Sequence, residues 1–406
     1  MLDVLVIGGG AAGMAAAIAA GMYGDRVLVL ERMDRVGKKL LATGNGRCNL
    51  MNTGSLTYPG GADLAQAVLT RCGAREQTDF WRHWGLPLRV EDGGRVYPAS
   101  GQASSVLDTL RLAMAATGVQ TVIGVSVTGI RFDGQGFTVT AEGQRWQARR
   151  VIAAGGGCAQ PKLGSDGSAW ALMEPFGHKL VKPRPSLTQI MTDTAPIRGL
   201  SGIRVRCQVA LTRGGETLHT EKGELLFADY GVSGVCVMQC ARWAEPGCEL
   251  RVDFSQGMGF DGAPALSEEL GRRRSLFAGH PAEQLLTGLC VPRLASCLLK
   301  AAGIPRELPM DRLQDDVLHR LARVMTDFRL AVRGVKGFDS AQVTAGGLDV
   351  SGFDPMTLES LFQPGLHACG EMLDVDGDCG GYNLMFAFGS GLLAGLNGRE
   401  APWRKA

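Results

Sequence analysis

Three glycines and one acid carry the first chemical signal in this 406-residue chain. An apolar run, Val4-Leu-Val-Ile7, leads straight into Gly8-x-Gly10-x-x-Gly13, and a second apolar run from Arg26 ends in Glu31, 18 residues after Gly13. Gly8 allows a tight strand-to-helix turn, Gly10 lets the backbone approach a pyrophosphate with no Cβ in the way, and Gly13 lets the helix pack closely on the sheet. Unpaired N–H groups and the dipole at the helix N-terminus favour phosphate. Glu31 stands where a carboxylate accepts hydrogen bonds from ribose hydroxyls. Among 58 glycines the spacing alone would be weak, but strand, turn, helix, strand and acid in that order specify a site for an ADP-containing dinucleotide.

The segment after Glu31, Val36-Gly-Lys-Lys-Leu-Leu-Ala-Thr-Gly-Asn-Gly-Arg-Cys-Asn-Leu-Met-Asn52, is rich in Gly, Asn, Lys and Arg and poor in periodicity. It reads as a donor-rich loop laid over the cofactor. Residues 119–150 alternate as a small β-meander that ends in the buried strand Val151-Ile-Ala-Ala154 and the glycines 155–157.

With these residues the chain resembles the BaiN-like family of bacterial FAD-binding flavoproteins, also described as aminoacetone-oxidase-like, and more distantly the glutathione-reductase-type two-motif FAD fold. The resemblance spans nearly the whole chain and rests also on Gly94-Arg-Val-Tyr-Pro-Ala-Ser100, Gly223-Glu-Leu-Leu-Phe227, Val343-Thr-Ala-Gly-Gly347 and Ala368-Cys-Gly-Glu-Met-Leu-Asp-Val-Asp-Gly377 running into Gly380-Gly-Tyr-Asn383. It implies that Glu371 meets the ribityl hydroxyls and that the helix after Gly381 points its N-terminus at the flavin pyrimidine edge, favouring the anionic reduced ring. Together, motif and resemblance assign FAD contacts to Gly8, Gly10, Ala11, Ala12, Gly13, Glu31 and Arg32, and to Ala154, Gly155 and Gly156. The loop adds Lys38, Lys39, Leu40, Thr43, Gly44, Asn45, Gly46, Arg47, Cys48 and Asn49. The C-terminal part adds Gly370, Glu371, Asp376, Gly380, Gly381, Tyr382 and Asn383.

The elements that must position these residues are an α/β Rossmann-like FAD domain, discontinuous over 1–185 and 341–406, with an inserted barrel-like β domain over 186–262 and 326–340 and a nested helical part over 263–325. Strand-like runs at 203–211, 224–227 and 328–332, and helical leucine spacings at 282–289, 292–302 and 311–325, carry that division. The family pattern implies substrate bound between flavin and barrel. Two departures limit the transfer: Phe227-Ala-Asp-Tyr-Gly-Val-Ser-Gly-Val235 replaces residues that relatives use in the substrate domain, and Gly167-Ser-Ala169 lacks a Gly-Asp-Gly, which weakens a ligand role for that loop.

Composition excludes other classes. With 42 basic and 40 acidic residues there is no nucleic-acid footprint, and the short run Gly271-Arg-Arg-Arg-Ser275 reads as a solvated helix face. Val4 to Gly24 and Cys379 to Gly398 are free of charge, yet glycine clusters break them, so both read as buried cofactor-domain elements and the protein as cytoplasmic, without a membrane partner. Eleven cysteines without a Cys-x-x-Cys indicate reduced thiols; those near the cofactor, Cys48, Cys158 and Cys379, read as small packing residues. Six scattered histidines suggest no metal site.

No second Gly-x-Gly-x-x-Gly follows a strand, so NAD(P)H is expected to visit the flavin transiently or to be replaced by another donor. The expected function is FAD-dependent reduction of an activated C=C in a small-molecule enone, steroid-like by the resemblance, with a tyrosine, Tyr382 or Tyr230, or a water as proton donor. A flavin oxidase of an amine or aminoketone is the alternative among enzymes, and a non-catalytic flavin sensor or RNA-modification accessory the alternative outside them.

Overall fold

The computed structural model describes residues 1–405. They form two compact units, Met1–Pro185 with the chain from Ala341 onward, and Ser186–Ser340.

The first unit is built on a parallel sheet in the order Gln120–Ile123, Val27–Glu31, Leu2–Ile7, Gln144–Ala153, Leu366–Ala368. Val27–Glu31 is buried along its whole length, as the unbroken apolar run requires when both faces of a sheet are covered. Gln144–Ala153 serves two partners on one edge. Its first half pairs antiparallel with Phe137–Ala141, which pairs with Gly129–Phe132, and its second half pairs parallel with Leu366–Ala368. The meander strand and the buried strand read separately from the sequence are therefore one ten-residue strand.

Register decides what the sheet delivers. Ile7 stands opposite Leu30 and Ala153, and Ala153 opposite Ala368. The next residue along each strand is Gly8, Glu31, Ala154 or Cys369, so four separated motifs arrive together at the carboxyl edge, where open α/β sheets bind ligands.

The two charge-free stretches become buried helices, Ala11–Gly21 and Tyr382–Leu396. Their backbones nearly touch: a Cβ on Gly391 would lie 2.2 Å from the Ala12 carbonyl oxygen, and one on Gly395 2.2 Å from that of Ala16. The contacts advance by four residues on both helices, so the helices run parallel. At 1.5 Å per residue, Tyr382 starts its helix about 12 Å beyond the start of the first one. Among the described residues no helix is long and apolar enough to cross a membrane.

The second unit contains a closed six-stranded antiparallel barrel in the order Ile190–Thr192, Gly231–Ser233, Glu216–Ala228, Arg204–Arg213, Cys248–Asp253, Phe328–Val335. Helices Gly262–Leu276, Pro292–Ala301 and Asp315–Thr326 lie between the last two strands in sequence. Leu266, Leu298 and Leu321 share one apolar core with Val209, Leu250 and Leu330 of the barrel, so segment 263–325 has no separate core of its own. The expected helix over 282–289 is only a 3-10 turn, Ala282–Gln284. Pro281 precedes it, Gly288 takes a left-handed φ of +81°, and the buried pair Leu285 and Leu286 sits in a turn rather than on one helix face. Of the run 271–275, Arg272 faces solvent and pairs with Glu269, whereas Arg273 and Arg274 are largely covered, pair with Glu269 and Asp315 and donate to the carbonyls of Thr287 and Leu313, so the run is only in part a solvated face.

Candidate functional site in the first unit

The glycine turn is fixed by its own backbone. Gly8 N–H donates to Leu30 O at 2.8 Å, Gly9 O accepts from Gly37 N–H at 2.8 Å, and Gly9 N–H donates to Glu31 Oε2 at 2.7 Å. Side chains at two of the three glycines would collide with backbone: a Cβ on Gly8 falls 2.4 Å from Ala154 O, and one on Gly13 falls 1.9 Å from Gly8 O. Gly10 differs, because nothing lies within 4 Å of its Cβ position. The helix that starts there has no side-chain cap and no acid in its first turn among the described residues. This N-terminus thus offers unpaired N–H donors to open space, a cradle suited to a pyrophosphate.

Glu31 already accepts from Gly9 N–H and, through Oε1, from Met33 N–H at 2.7 Å, leaving the second lone pair of each oxygen for ribose hydroxyls. Against the Glu31–Met33 turn packs loop 161–168: a Cβ on Gly164 would meet Met33 at 2.9 Å. Arg32 pairs with Asp166 and reaches Ser168 Oγ at 3.3 Å. The loop given little ligand role from its sequence therefore flanks the turn that carries Glu31.

Burial works against the Asp166 carboxylate, but Arg32 and Ser168 together hold its pKa at about 2, below the ordinary 3.8. A carboxyl depressed in the folded state stabilises above its unfolded pKa and loses that contribution as pH falls through the folded value. The stability difference between wild type and Arg32→Ala is therefore expected to be full above about pH 4 and gone by about pH 2. Thermal melts across that range check this; a difference that persists at the acid end would contradict it.

Glu371 enters beside the two helices. It follows Gly370, whose Cβ position is 2.7 Å from the Ala12 side chain and whose N–H donates to the buried Ser390 Oγ at 2.9 Å. Glu371 Oε2 accepts from Lys39 Nζ at 2.6 Å, and Oε1 from Thr344 N–H at 2.9 Å. The buried Thr344 hydroxyl accepts from Cys158 and Ala159 N–H at 2.8 and 3.0 Å, tying the turn after Ala154, Gly155 and Gly156 to the same carboxylate.

The far end is the start of the helix Tyr382–Leu396, again without a side-chain cap or acid in its first turn among the described residues. Gly381, at a φ of +105°, has no room for a side chain: its Cβ would lie 2.5 Å from Met51 O. Asn52 holds the turn, donating from Nδ2 to Gly380 O at 2.9 Å and Gly93 O at 3.1 Å while Oδ1 accepts from Gly54 N–H at 2.8 Å. Asn49 Oδ1 sits beside Gly381, buried and with no hydrogen-bond partner among the described residues. Such an orphan acceptor costs about 1–3 kcal/mol unless a donor from a bound group meets it. The residues thus fit a ligand with phosphates at one end, hydroxyls about the middle and a donor-bearing ring at the other, which is the layout of FAD.

The family model described as HI0933-like protein Rossmann domain matches residues 2–397. The chain belongs to this HI0933-like family. It is 37% identical to a 3-dehydro-bile acid Δ(4,6)-reductase of Clostridium scindens, over 98% of this chain and 99% of that one. It is 28% identical to a ribosomal RNA dihydrouridine synthase of Escherichia coli K12, over 96% of each. Among solved structures it is similar to a 3-ketosteroid-Δ4-(5α)-dehydrogenase of Rhodococcus jostii RHA1 (TM-score 0.48, 18% identity, 98% of this chain and 97% of that one), a distant likeness of chain path. The resemblance to BaiN-like flavoproteins is borne out, and the chain is a flavin-dependent oxidoreductase with an FAD-type cofactor.

Within this family site several sequence-assigned residues have other duties. Lys38 pairs with Asp34 at 2.9 Å, and the Leu40 side chain is buried in the core. Segment 36–52 contains a short helix, Lys38–Ala42, followed by a left-handed run through Gly44, Asn45 and Gly46. Thr43 Oγ1 donates to Leu40 O at 2.7 Å. Arg47 reaches Glu91 at 2.5 Å and lies 4.1 Å over the Tyr97 ring, so its charge is already met. Asn383 spends its amide on the loop before it, accepting from Gly377 N–H at 2.8 Å and donating to Gly377 O at 2.7 Å. Asp376 is buried beside that loop, and Gly60 N–H donates to its carbonyl at 3.2 Å. Tyr382 packs edge-on to Tyr58, with ring centroids 5.9 Å apart. Tyr230 belongs to the second unit, where Lys336 Nζ lies 4.4 Å over its ring. Burial pushes the Cys48 thiol up to about 12 and raises those of Cys158 and Cys379, which suits packing. Among the described residues no three His, Cys, Asp or Glu side chains are grouped to hold a metal ion.

Proposed function

We propose that the chain reduces a C=C bond conjugated to a carbonyl, in a small-molecule enone of steroid-like size, with electrons from NAD(P)H. The observation that carries the FAD assignment is the stagger of two uncapped, parallel helix starts by about 12 Å, with Gly370, the residue before Glu371, packed against both helices. The first helix start and Gly10 would hold the pyrophosphate, Glu31 the adenosine ribose, Glu371 the ribityl hydroxyls, and Asn49 with the Gly381 turn the pyrimidine edge. When bound, FAD supplies a hydride for the carbon β to the carbonyl. The helix start at Tyr382 favours negative charge at its end of the cofactor by about 0.3–2 kcal/mol.

The substrate class is supported by the named relatives. Reduction of a 3-oxo steroid at Δ4,6 and conversion of uridine to dihydrouridine both add two hydrogens across a C=C conjugated to a carbonyl. Higher identity to the bile-acid enzyme and a net charge of only +2 favour the small molecule over RNA. A uracil base is the second reading, favoured by the ribosomal RNA dihydrouridine synthases of Escherichia coli and Haemophilus influenzae.

Saturation of the bond also requires a proton at the α-carbon, and Tyr382 is the proposed donor. It stands on the first turn after Gly381, its backbone carbonyl pinned by Tyr58 Oη at 2.7 Å. Tyr230 is the other candidate. Tyr382→Phe is expected to slow oxidation of the reduced protein by an enone by about 10²-fold or more while leaving reduction by nucleotide unchanged. Equal enone rates in both proteins would move the role to Tyr230 or to water. The nucleotide claim has its own test: anaerobic addition of NADH and NADPH in turn to the FAD-loaded protein. Bleaching of the flavin band by one of them supports it; no bleaching by either contradicts it.

A further inference from the structure

We propose that Cys207 and Cys236 form an oxidisable dithiol in the second unit, a site of reversible disulfide formation. The observations lie wholly within residues 186–340 and do not depend on the cofactor assignment. Cys207, on strand Arg204–Arg213, stands directly opposite Gly223 on strand Glu216–Ala228. Directly opposed residues of an antiparallel pair project to the same face with Cβ atoms about 5 Å apart. Gly223 has no side chain to fill its share of that face. A Cβ there would lie 3.2 Å from Cys236 Cβ and 3.6 Å from Cys236 Sγ, so the Cys236 side chain, carried by helix Val235–Cys240, occupies the place left open over Gly223. This gives a physical role to the glycine of the Gly223-Glu-Leu-Leu-Phe227 motif.

In that position Cys236 lies over the residue directly opposite Cys207, which makes the two thiols neighbours on one face. A disulfide needs Cβ atoms about 3.5–4.5 Å apart, a separation that small side-chain and helix shifts reach from two cysteines meeting over the same glycine. The third thiol nearby, Cys240, is directed elsewhere and donates to Cys236 O at 3.3 Å. The neighbouring Cys207 lowers the pKa of Cys236 against the opposing effect of burial, and with its place on the short helix that begins at exposed Val235 this favours Cys236 as the attacking sulfur. Both thiols are buried, but the helix carrying Cys236 has only six residues, follows Gly234 at a φ of +103°, and begins at Val235, which is 53% exposed. So short a helix opens locally at low cost and admits a small oxidant.

With hydrogen peroxide as the oxidant the balance closes. The Cys236 thiolate attacks one peroxide oxygen, the O–O bond breaks, and after protonation one water leaves together with a Cys236 sulfenic acid. The Cys207 sulfur then attacks Cys236 Sγ and expels the sulfenic oxygen as a second water. Two thiols and one peroxide give one disulfide and two waters, with two electrons passing from sulfur to peroxide. A dithiol reductant reverses the step by exchange.

The test uses the FAD-loaded full chain, exposed to limiting hydrogen peroxide, alkylated and digested without reduction. The expected result is a cross-linked pair of peptides carrying Cys207 and Cys236, absent after treatment with dithiothreitol and retained in Cys240→Ser. Recovery of Cys207 and Cys236 as separate alkylated or oxygenated thiols in the wild-type protein would overturn the proposal. So would a cross-link that runs through Cys240.

Discussion

Gly10→Ala is expected to fold as the wild type does and to lose FAD. Gly10 has an ordinary φ of −79°, and nothing lies within 4 Å of its Cβ position, so a methyl group there meets no protein atom. The open space is where the pyrophosphate must approach the first N–H groups of the helix. A methyl group in it pushes the phosphates away from donors whose charge-assisted bonds contribute about 1.5–3 kcal/mol each. Loss of one such bond weakens FAD about 10- to 100-fold, and loss of two multiplies the factors. Gly13→Ala is the contrasting variant: its methyl group would fall 1.9 Å from Gly8 O, and it should lower thermal stability whether or not FAD is present. Gel filtration followed by the flavin spectrum, with circular dichroism for the fold, separates the two. A Gly10→Ala protein that keeps its yellow colour would contradict the pyrophosphate assignment.

Glu371→Ala should be the most damaging single change away from the glycine turn. The carboxylate is about four-fifths buried, holds Lys39 Nζ at 2.6 Å and accepts from Thr344 N–H at 2.9 Å. Its removal leaves an ammonium without its counter-charge and a buried N–H without an acceptor, a loss of about 2–3 kcal/mol before any cofactor contact is counted. Both stability without FAD and affinity for FAD are expected to fall. Glu371→Gln keeps an acceptor for Thr344 but not the charge for Lys39, so it should lie between. Thermal melts with and without FAD, paired with a titration of apoprotein by FAD, check the order; a Glu371→Ala protein with normal FAD affinity would remove this residue from the site.

The glycine turn was legible in the sequence because its chemistry is local. Gly8, Gly10, Gly13 and Glu31 are held by strands adjacent in the chain, and their spacing follows from a turn, a helix and a return. The C-terminal helix was legible as a charge-free stretch beginning at a double glycine. Its depth was not, because the stagger depends on Gly391 and Gly395 meeting Ala12 and Ala16 across nearly the whole length of the chain. Asn52, Thr344 and Asp166 were missed as supports for the same reason. Each acts on residues far away in sequence, and no periodicity announces a side chain that braces a distant turn. The helix Lys38–Ala42 escaped because five residues are too few to show a period. Asn383 had the right position but another duty, since an amide beside a glycine turn closes the loop before it as readily as it meets a ligand.

The most direct test of the central claim is an anaerobic stopped-flow measurement in which fully reduced, FAD-loaded protein is mixed with a 4-en-3-one steroid and, separately, with air-saturated buffer. The account predicts rapid return of the oxidised flavin spectrum with the enone, formation of the saturated ketone in equal amount, and much slower return in air. Rapid reoxidation by oxygen with none by the enone would contradict it and point to an oxidase.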